Sequence, residues 1–167
     1  MSMKHYKDLI NECLKSGVEE IFPWDLQKLI ESGHSPFLLD IREPHEFEKL
    51  HIQHSLNVPR GVLEQACEYG FDETEPELAE AKDKHIVVIC RSGNRSILAA
   101  WTLLMMGYQH VQSMKTGIKG WNDFELPLQN SHGKVLDSDE ADDILKPRLR
   151  PDQVPPQKTR QTLHILQ

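Results

Sequence analysis

The sequence predicts an α/β fold of three layers, with a mainly parallel sheet held between helices. Three observations carry this. Ile86-Val87-Val88-Ile89 is an unbroken run of β-branched residues, the mark of a strand covered on both faces. Shorter apolar runs bounded by proline, glycine and charges recur on either side of it. Between these runs lie segments whose apolar residues repeat every three or four positions, as on one face of a helix.

The elements follow in order. Tyr6, Leu9, Ile10, Cys13 and Leu14 predict a helix over 3–16, with Gly17 just past its end. Val18 to Ile21 reads as a short strand. Pro23 opens a helix to Glu31 whose buried stripe is Leu26, Leu29 and Ile30. Phe37 to Ile41 reads as a buried strand. Pro44 starts a helical turn carrying Phe47 and Leu50, and Ile52 to Pro59 is a further extended piece. Residues 61–67 and 76–82 are short helices, and the acidic stretch Asp72 to Glu80 is a solvated surface. The strand ending at Cys90 feeds a loop, then a helix to Gly107 built on Ile97, Leu98, Ala100, Trp101, Leu104 and Met105. Val111 to Met114 is the last strand and Gly117 to Phe124 the last helix. Trp101 and Trp121 are expected in the core. The chain thus divides into an N-terminal helical extension (1–17), an α/β domain (18–129) and a proline-containing tail (130–167). The tail is expected to be flexible, save for a helical turn near Asp142 to Leu145.

Composition narrows the partners. The chain has 167 residues, of which 38% are hydrophobic and 27% charged, with a net charge of −7. An acidic protein is a poor nucleic-acid ligand, and no apolar run reaches the roughly 18 to 20 residues of a membrane span. The first residues lack the apolar stretch of a secretory signal, so the expected location is cytoplasmic. Cys13, Cys67 and Cys90 have neither metal-ligand nor disulfide spacing, and the nine histidines are scattered. No metal and no cofactor is expected.

Cys90 ends the strongest strand where a helix is about to begin, the place at which open α/β sheets bind ligands. In the loop Arg91-Ser92-Gly93-Asn94-Arg95-Ser96, Gly93 and Asn94 are the residue types that tolerate positive φ. Such a loop can turn its N–H groups inward as an anion nest at a helix N-terminus. There it favours a thiolate and cradles a negative charge on the sulfur. Arg91 and Arg95 add positive field, and Ser92 and Ser96 offer hydroxyl groups. A cysteine ending an apolar strand is otherwise a small buried hydrophobe; the loop attached to it separates the two readings.

Four segments, which follow one another along the chain in that family's order, resemble the rhodanese-like family. The six-residue loop Cys90 to Arg95 is similar to that family's active-site loop, which begins with the sulfur-carrying cysteine. Leu39-Asp40-Ile41-Arg42-Glu43 with Glu46-Phe47 resembles its D-[VI]-R-x-x-x-E-[FY] segment. His51-Ile52 with Ser55-Leu56-Asn57-Val58-Pro59 resembles G-H-I-P-G-A-x-N-[IV]-P. Gly117-Ile118, Trp121 and Leu126-Pro127-Leu128 resemble the closing G-G-I-x-x-W-x-x-x-G-L-P-[VL]. Leu50, Gln53-His54, Thr116 and Glu125 depart from it, standing where the family commonly has Gly, Pro-Gly, Gly and Gly. These departures bear on loop shape rather than on the nucleophile.

The resemblance implies a rhodanese-like three-layer fold with a five-stranded sheet and a single-domain sulfurtransferase. Its mechanism has two half-reactions. Cys90 takes the outer sulfur of a donor such as thiosulfate as a persulfide, then passes it to a thiophilic acceptor: cyanide, a thiol or an acceptor protein. It also implies that Asp40 and Arg42 sit beside the loop, where an ion-paired, loop-bracing role is expected. Which of Arg91 and Arg95 faces the substrate stays open, and Cys13 and Cys67 are expected to be packing residues. The rival readings are a non-catalytic binding module of the same family and a cysteine phosphatase. The phosphatase would need five residues between cysteine and arginine, where this loop has the four from Arg91 to Asn94. A redox enzyme lacks its C-x-x-C, and an arsenate reductase lacks phosphatase-type spacing or resolving cysteines.

Overall fold

A computed structural model describes residues 2–155. The elements run α1 (Tyr6–Lys15), β1 (Glu19–Ile21), α2 (Pro23–Glu31), β2 (Phe37–Asp40), α3 (Pro44–Lys49), β3 (Leu56–Asn57), α4 (Leu63–Ala66) and α5 (Pro76–Ala79). They continue with β4 (His85–Ile89), α6 (Asn94–Met105), β5 (His110–Met114), α7 (Gly117–Asp123), β6 (Leu128–Gln129), β7 (Val135–Leu136) and α8 (Ser138–Leu145). Strands β1 to β5 form one sheet in the order β1-β5-β4-β2-β3, and every pairing in it is parallel. Of the extended piece 52–59, only Leu56 and Asn57 join the sheet, at its edge beside Leu39 and Asp40.

Successive side chains of β4 face opposite layers, as the two-residue period of a strand requires. Ile86, Val88 and Cys90 join one core with Ile10 and Cys13 of α1, Leu63 of α4, Leu78 of α5 and Ile97 and Leu103 of α6. Val87 and Ile89 join the other with Leu26 of α2, Ile118 and Trp121 of α7, and Ala141 and Leu145 of α8. This explains why β4 carries no polar residue between His85 and Cys90: both faces are dry. Among the described residues no helix is long and apolar enough to cross a membrane.

One expectation is corrected. Trp101 is 40% exposed, unlike Trp121 at 1%. The buried stripe of α6 runs through Ser96, Ile97, Ala100 and Leu103, and among the described residues no further layer covers the side that bears Trp101. Within the expected tail, Val135–Leu136 form β7 and Ser138–Leu145 form α8, which contains the turn expected near Asp142 to Leu145. Strand β7 pairs antiparallel with β6 and delivers α8 to α7. Asp137 caps α8, accepting a hydrogen bond from Glu140 N at 2.8 Å. Ala141 and Leu145 are then buried, and Asn122 of α7 donates to Ser138 O and Asp142 Oδ1 at 2.9 Å each. Residues 156–167 of the expected tail lie outside the described residues.

Among the described residues, the three non-glycine residues with positive φ are His54 (65°), Thr116 (65°) and Glu125 (52°). These are the positions where the resembling family commonly carries glycine, so this chain keeps the turn geometry while losing the residue that adopts it freely. A left-handed residue with a Cβ costs roughly 1–2 kcal/mol, partly offset because glycine loses more entropy on folding. His54→Gly and Glu125→Gly are each expected to raise stability by about 0.5–1 kcal/mol, read from the urea midpoint. A fall in midpoint for both would contradict the strain.

Candidate active site

The site stands at the C-terminal edge of the sheet, where β4 gives way to α6. Cys90 is 1% exposed. Gly93, at φ 88°, turns the chain left-handed at the head of α6, which folds the loop back over the sulfur. Gly93 N–H and Ser96 N–H donate to Cys90 Sγ at 3.1 and 3.3 Å, and Ser96 Oγ lies 3.2 Å from it. Behind Ser96, its hydroxyl is 2.7 Å from that of Ser113 on β5, and both serines are fully buried. The sulfur therefore sits where backbone dipoles and the positive end of α6 converge, an arrangement that holds negative charge.

The loop is braced from outside by backbone contact with α7. Ile118 N–H donates to Cys90 O at 2.9 Å and Lys119 N–H to Arg91 O at 3.0 Å. A Cβ on Gly117, at φ +62°, would come within 2.5 Å of Cys90 O and of the Arg91 carbonyl. Only glycine permits so close an approach.

Neither loop arginine points at the sulfur. Arg91 donates through Nε to Leu145 O at 3.1 Å, and through Nη2 to the same oxygen. It thereby satisfies a carbonyl left over at the end of α8. Arg95 makes a fork with Glu46 of α3, with Nη1 to Oε2 and Nη2 to Oε1 at 2.9 Å each. Ser92 and Asn94 are exposed at the loop's rim. Asp40, in register with Ile89, and Arg42 are fully buried together. Arg42 Nη2 donates to Asp40 Oδ2 and to Leu50 O, each at 2.7 Å, while the backbone N–H of Arg42 donates to Asp40 Oδ1 at 3.0 Å. The pair joins the end of β2 to the end of α3 beneath the loop.

Sequence reasoning passed over Glu46 as a partner, Ser113, the Leu145 carbonyl and Tyr6. Helix α1 descends from the loop's edge of the sheet, and burial together with the charge of Cys90 raises the Tyr6 phenol above its ordinary range, with Arg95 opposing. Only Glu46 had a signal, since it belongs to the quoted D-[VI]-R-x-x-x-E segment.

For Glu46, burial pushes the carboxyl up, but the hydrogen bonds and charge of Arg95 outweigh it and hold the group at about 2, against an ordinary 4.5. A depressed carboxyl stabilises the fold above the unfolded-state value and loses that contribution as pH falls through the folded one. Glu46→Gln is expected to cost about 1 kcal/mol at neutral pH, because the pair is partly solvated. The gap between variant and wild type should close as pH drops from about 4.5 toward 2. Urea unfolding at several pH values measures this, and a gap independent of pH would remove the ion pair from the explanation.

The family model described as Rhodanese-like domain matches residues 23–124, and the chain belongs to that family. Its relatives include the Schizosaccharomyces pombe "Putative thiosulfate sulfurtransferase, mitochondrial", 32% identical over 103 residues, which are 60% of this chain and 72% of that protein. Arabidopsis thaliana protein HIGH ARSENIC CONTENT 1, mitochondrial, is 31% identical over 108 residues, 64% of this chain and 63% of its own length. A solved structure from Rhodopseudomonas palustris, of a protein of unknown function described as a possible tyrosine phosphatase, superposes with a TM-score of 0.69 at 31% identity. That superposition covers 77% of this chain and 97% of that one.

Proposed function

We propose that this protein is a sulfurtransferase that carries a sulfane sulfur on Cys90. The observation that carries the reading is the cradle around Cys90 Sγ: two backbone N–H groups and a serine hydroxyl within 3.3 Å. In the first half-reaction the Cys90 thiolate attacks the outer sulfur of a donor such as thiosulfate. The new S–S bond forms as the donor's S–S bond breaks, and sulfite leaves with the bonding pair. The charge has moved outward by one sulfur, and the same donors hold it. In the second half-reaction a thiophilic acceptor attacks the outer sulfur and returns Cys90 to the thiolate. The acceptor is cyanide, a small thiol or a protein. No general base is required, because no proton leaves an attacking hydroxyl.

The Rhodopseudomonas neighbour raises a phosphatase as a second reading. That chemistry needs a free guanidinium in the loop to bind phosphoryl oxygens. Here both Nη atoms of Arg95 are occupied by Glu46, Arg91 is turned to Leu145, and the loop has one residue fewer. These observations favour a sulfane sulfur over a phosphoryl group. A purely binding module would have no use for a donor cradle closed on a cysteine.

The deciding experiment is intact-protein mass spectrometry after incubation with thiosulfate. A gain of one sulfur, roughly 32 Da, that cyanide removes is the expected result. Absence of the adduct with every sulfane donor would leave the binding module as the better reading.

A further inference from the structure

A cleft of about 240 Å³ opens between α3 and the C-terminal end of α8, lined among others by His45, Glu46, Lys49, Arg91 and Lys146. Its one acid among the described residues, Glu46, is already neutralised by both Nη atoms of Arg95. The carbonyl at the end of α8 that would repel an anion, Leu145 O, is covered by Arg91. Lys49 has no acidic partner among the described residues, and Lys146 pairs only with Asp143, at a site where both side chains are two-thirds exposed, so that pair holds little energy. In a chain of net charge −7, this cleft is a local concentration of positive charge. It abuts the catalytic loop at two points, through Arg91 directly after Cys90 and through Glu46, which holds Arg95. Helix α8, which supplies the cleft's far wall and is followed directly by Lys146, lies outside the segment matched to the family.

We infer that this cleft is an anion subsite for the sulfur acceptor, seating the carboxylate end of a small thiol whose sulfur reaches Cys90. The inference rests on the sulfurtransferase reading given above. The size supports an acceptor rather than the donor. The cleft lies outside the loop and is larger than a compact dianion needs, yet below the roughly 300–1,000 Å³ of a site that swallows a whole drug-sized molecule. It suits one end of a ligand whose other end lies at the sulfur. Lys49, one turn after His45 on α3, and Lys146, at the end of α8, face the anion from opposite walls.

The test compares Lys49→Glu/Lys146→Glu with wild type, using mercaptosuccinate as the anionic thiol and dithiothreitol as the neutral one. The KM for mercaptosuccinate is expected to rise about tenfold, the factor equivalent to 1.4 kcal/mol. The KM values for dithiothreitol and for thiosulfate should stay within about twofold. Binding of mercaptosuccinate to the Cys90→Ser protein, followed by titration calorimetry, should weaken by the same factor when the two lysine changes are added. Equal effects on both thiols, or none, would overturn the subsite, and a rise confined to thiosulfate would give the cleft to the donor instead. Should wild type form no persulfide, the proposed function falls, while the binding titration still decides the cleft. If the double reversal unfolds, Lys49→Gln/Lys146→Gln serves, with a smaller shift in the same direction.

Discussion

Cys90→Ser is expected to leave no measurable conversion of thiosulfate and cyanide to thiocyanate, a loss on the order of 10⁴-fold or more, as when a covalent nucleophile is deleted. A serine hydroxyl is not ionised at neutral pH and its oxygen has little affinity for sulfane sulfur. The variant should fold normally, since Gly93 N–H and Ser96 N–H can donate to an oxygen as they do to Sγ. A stability change under about 1 kcal/mol is expected. The other two cysteines cannot take over. Cys13 and Cys67 are 8% and 2% exposed. Burial pushes both thiols above their ordinary range, reinforced at Cys13 by Glu12 and opposed at Cys67 by a hydrogen bond to Tyr108. Thiosulfate kinetics and the sulfur adduct measured on the same samples check this. Equal labelling of wild type and variant would move the chemistry to Cys13 or Cys67.

The second large effect is on stability. Arg42→Ala strips the fully buried Asp40 carboxylate of its cation and leaves Leu50 O without its donor. Breaking a buried ion pair by removing one partner costs about 3–5 kcal/mol, a large part of the 5–15 kcal/mol that holds a typical domain. The variant is expected to unfold at a much lower urea concentration. Removing both partners should be milder than the sum of the single changes, because no charge is then stranded. The double-mutant cycle in urea measures that coupling. A midpoint unchanged by Arg42→Ala would mean that the carboxylate is held by its backbone partner alone.

Much of the fold is legible in the chain because its signals are local. Burial on both faces writes itself into β4 as four β-branched residues in succession, and α1, α2, α6 and α7 announce themselves by spacing and by Pro23, Gly17 and Gly107 at their ends. The loop was legible for the same reason. A strand, then a cysteine, then Gly93 turning left-handed at a helix start is a sequence of neighbours, and nothing distant is needed to close it on Sγ. The backbone contact that makes Gly117 necessary is not local, yet its residue type is plain in the closing segment. Of helix α8 only the turn from Asp142 to Leu145 was legible, because a short helix with Ala141, Ile144 and Leu145 as its apolar residues carries too little periodicity. Its Asp137–Glu140 capping box was the available sign.

What the sequence by itself determined is the order of the elements as far as α7, their parallel α/β arrangement and the place of Cys90 at the sheet's carboxyl edge. Hydrophobic period, β-branching and turn chemistry act between near neighbours. The tertiary structure alone decided where the long charged side chains go: Arg91 to the end of α8, Arg95 to Glu46, and Arg42 across to Leu50 O. A guanidinium on a flexible stem has no direction of its own. It goes where a carboxylate or an unsatisfied carbonyl waits, and folding brings those partners from positions 54, 49 and 8 residues away.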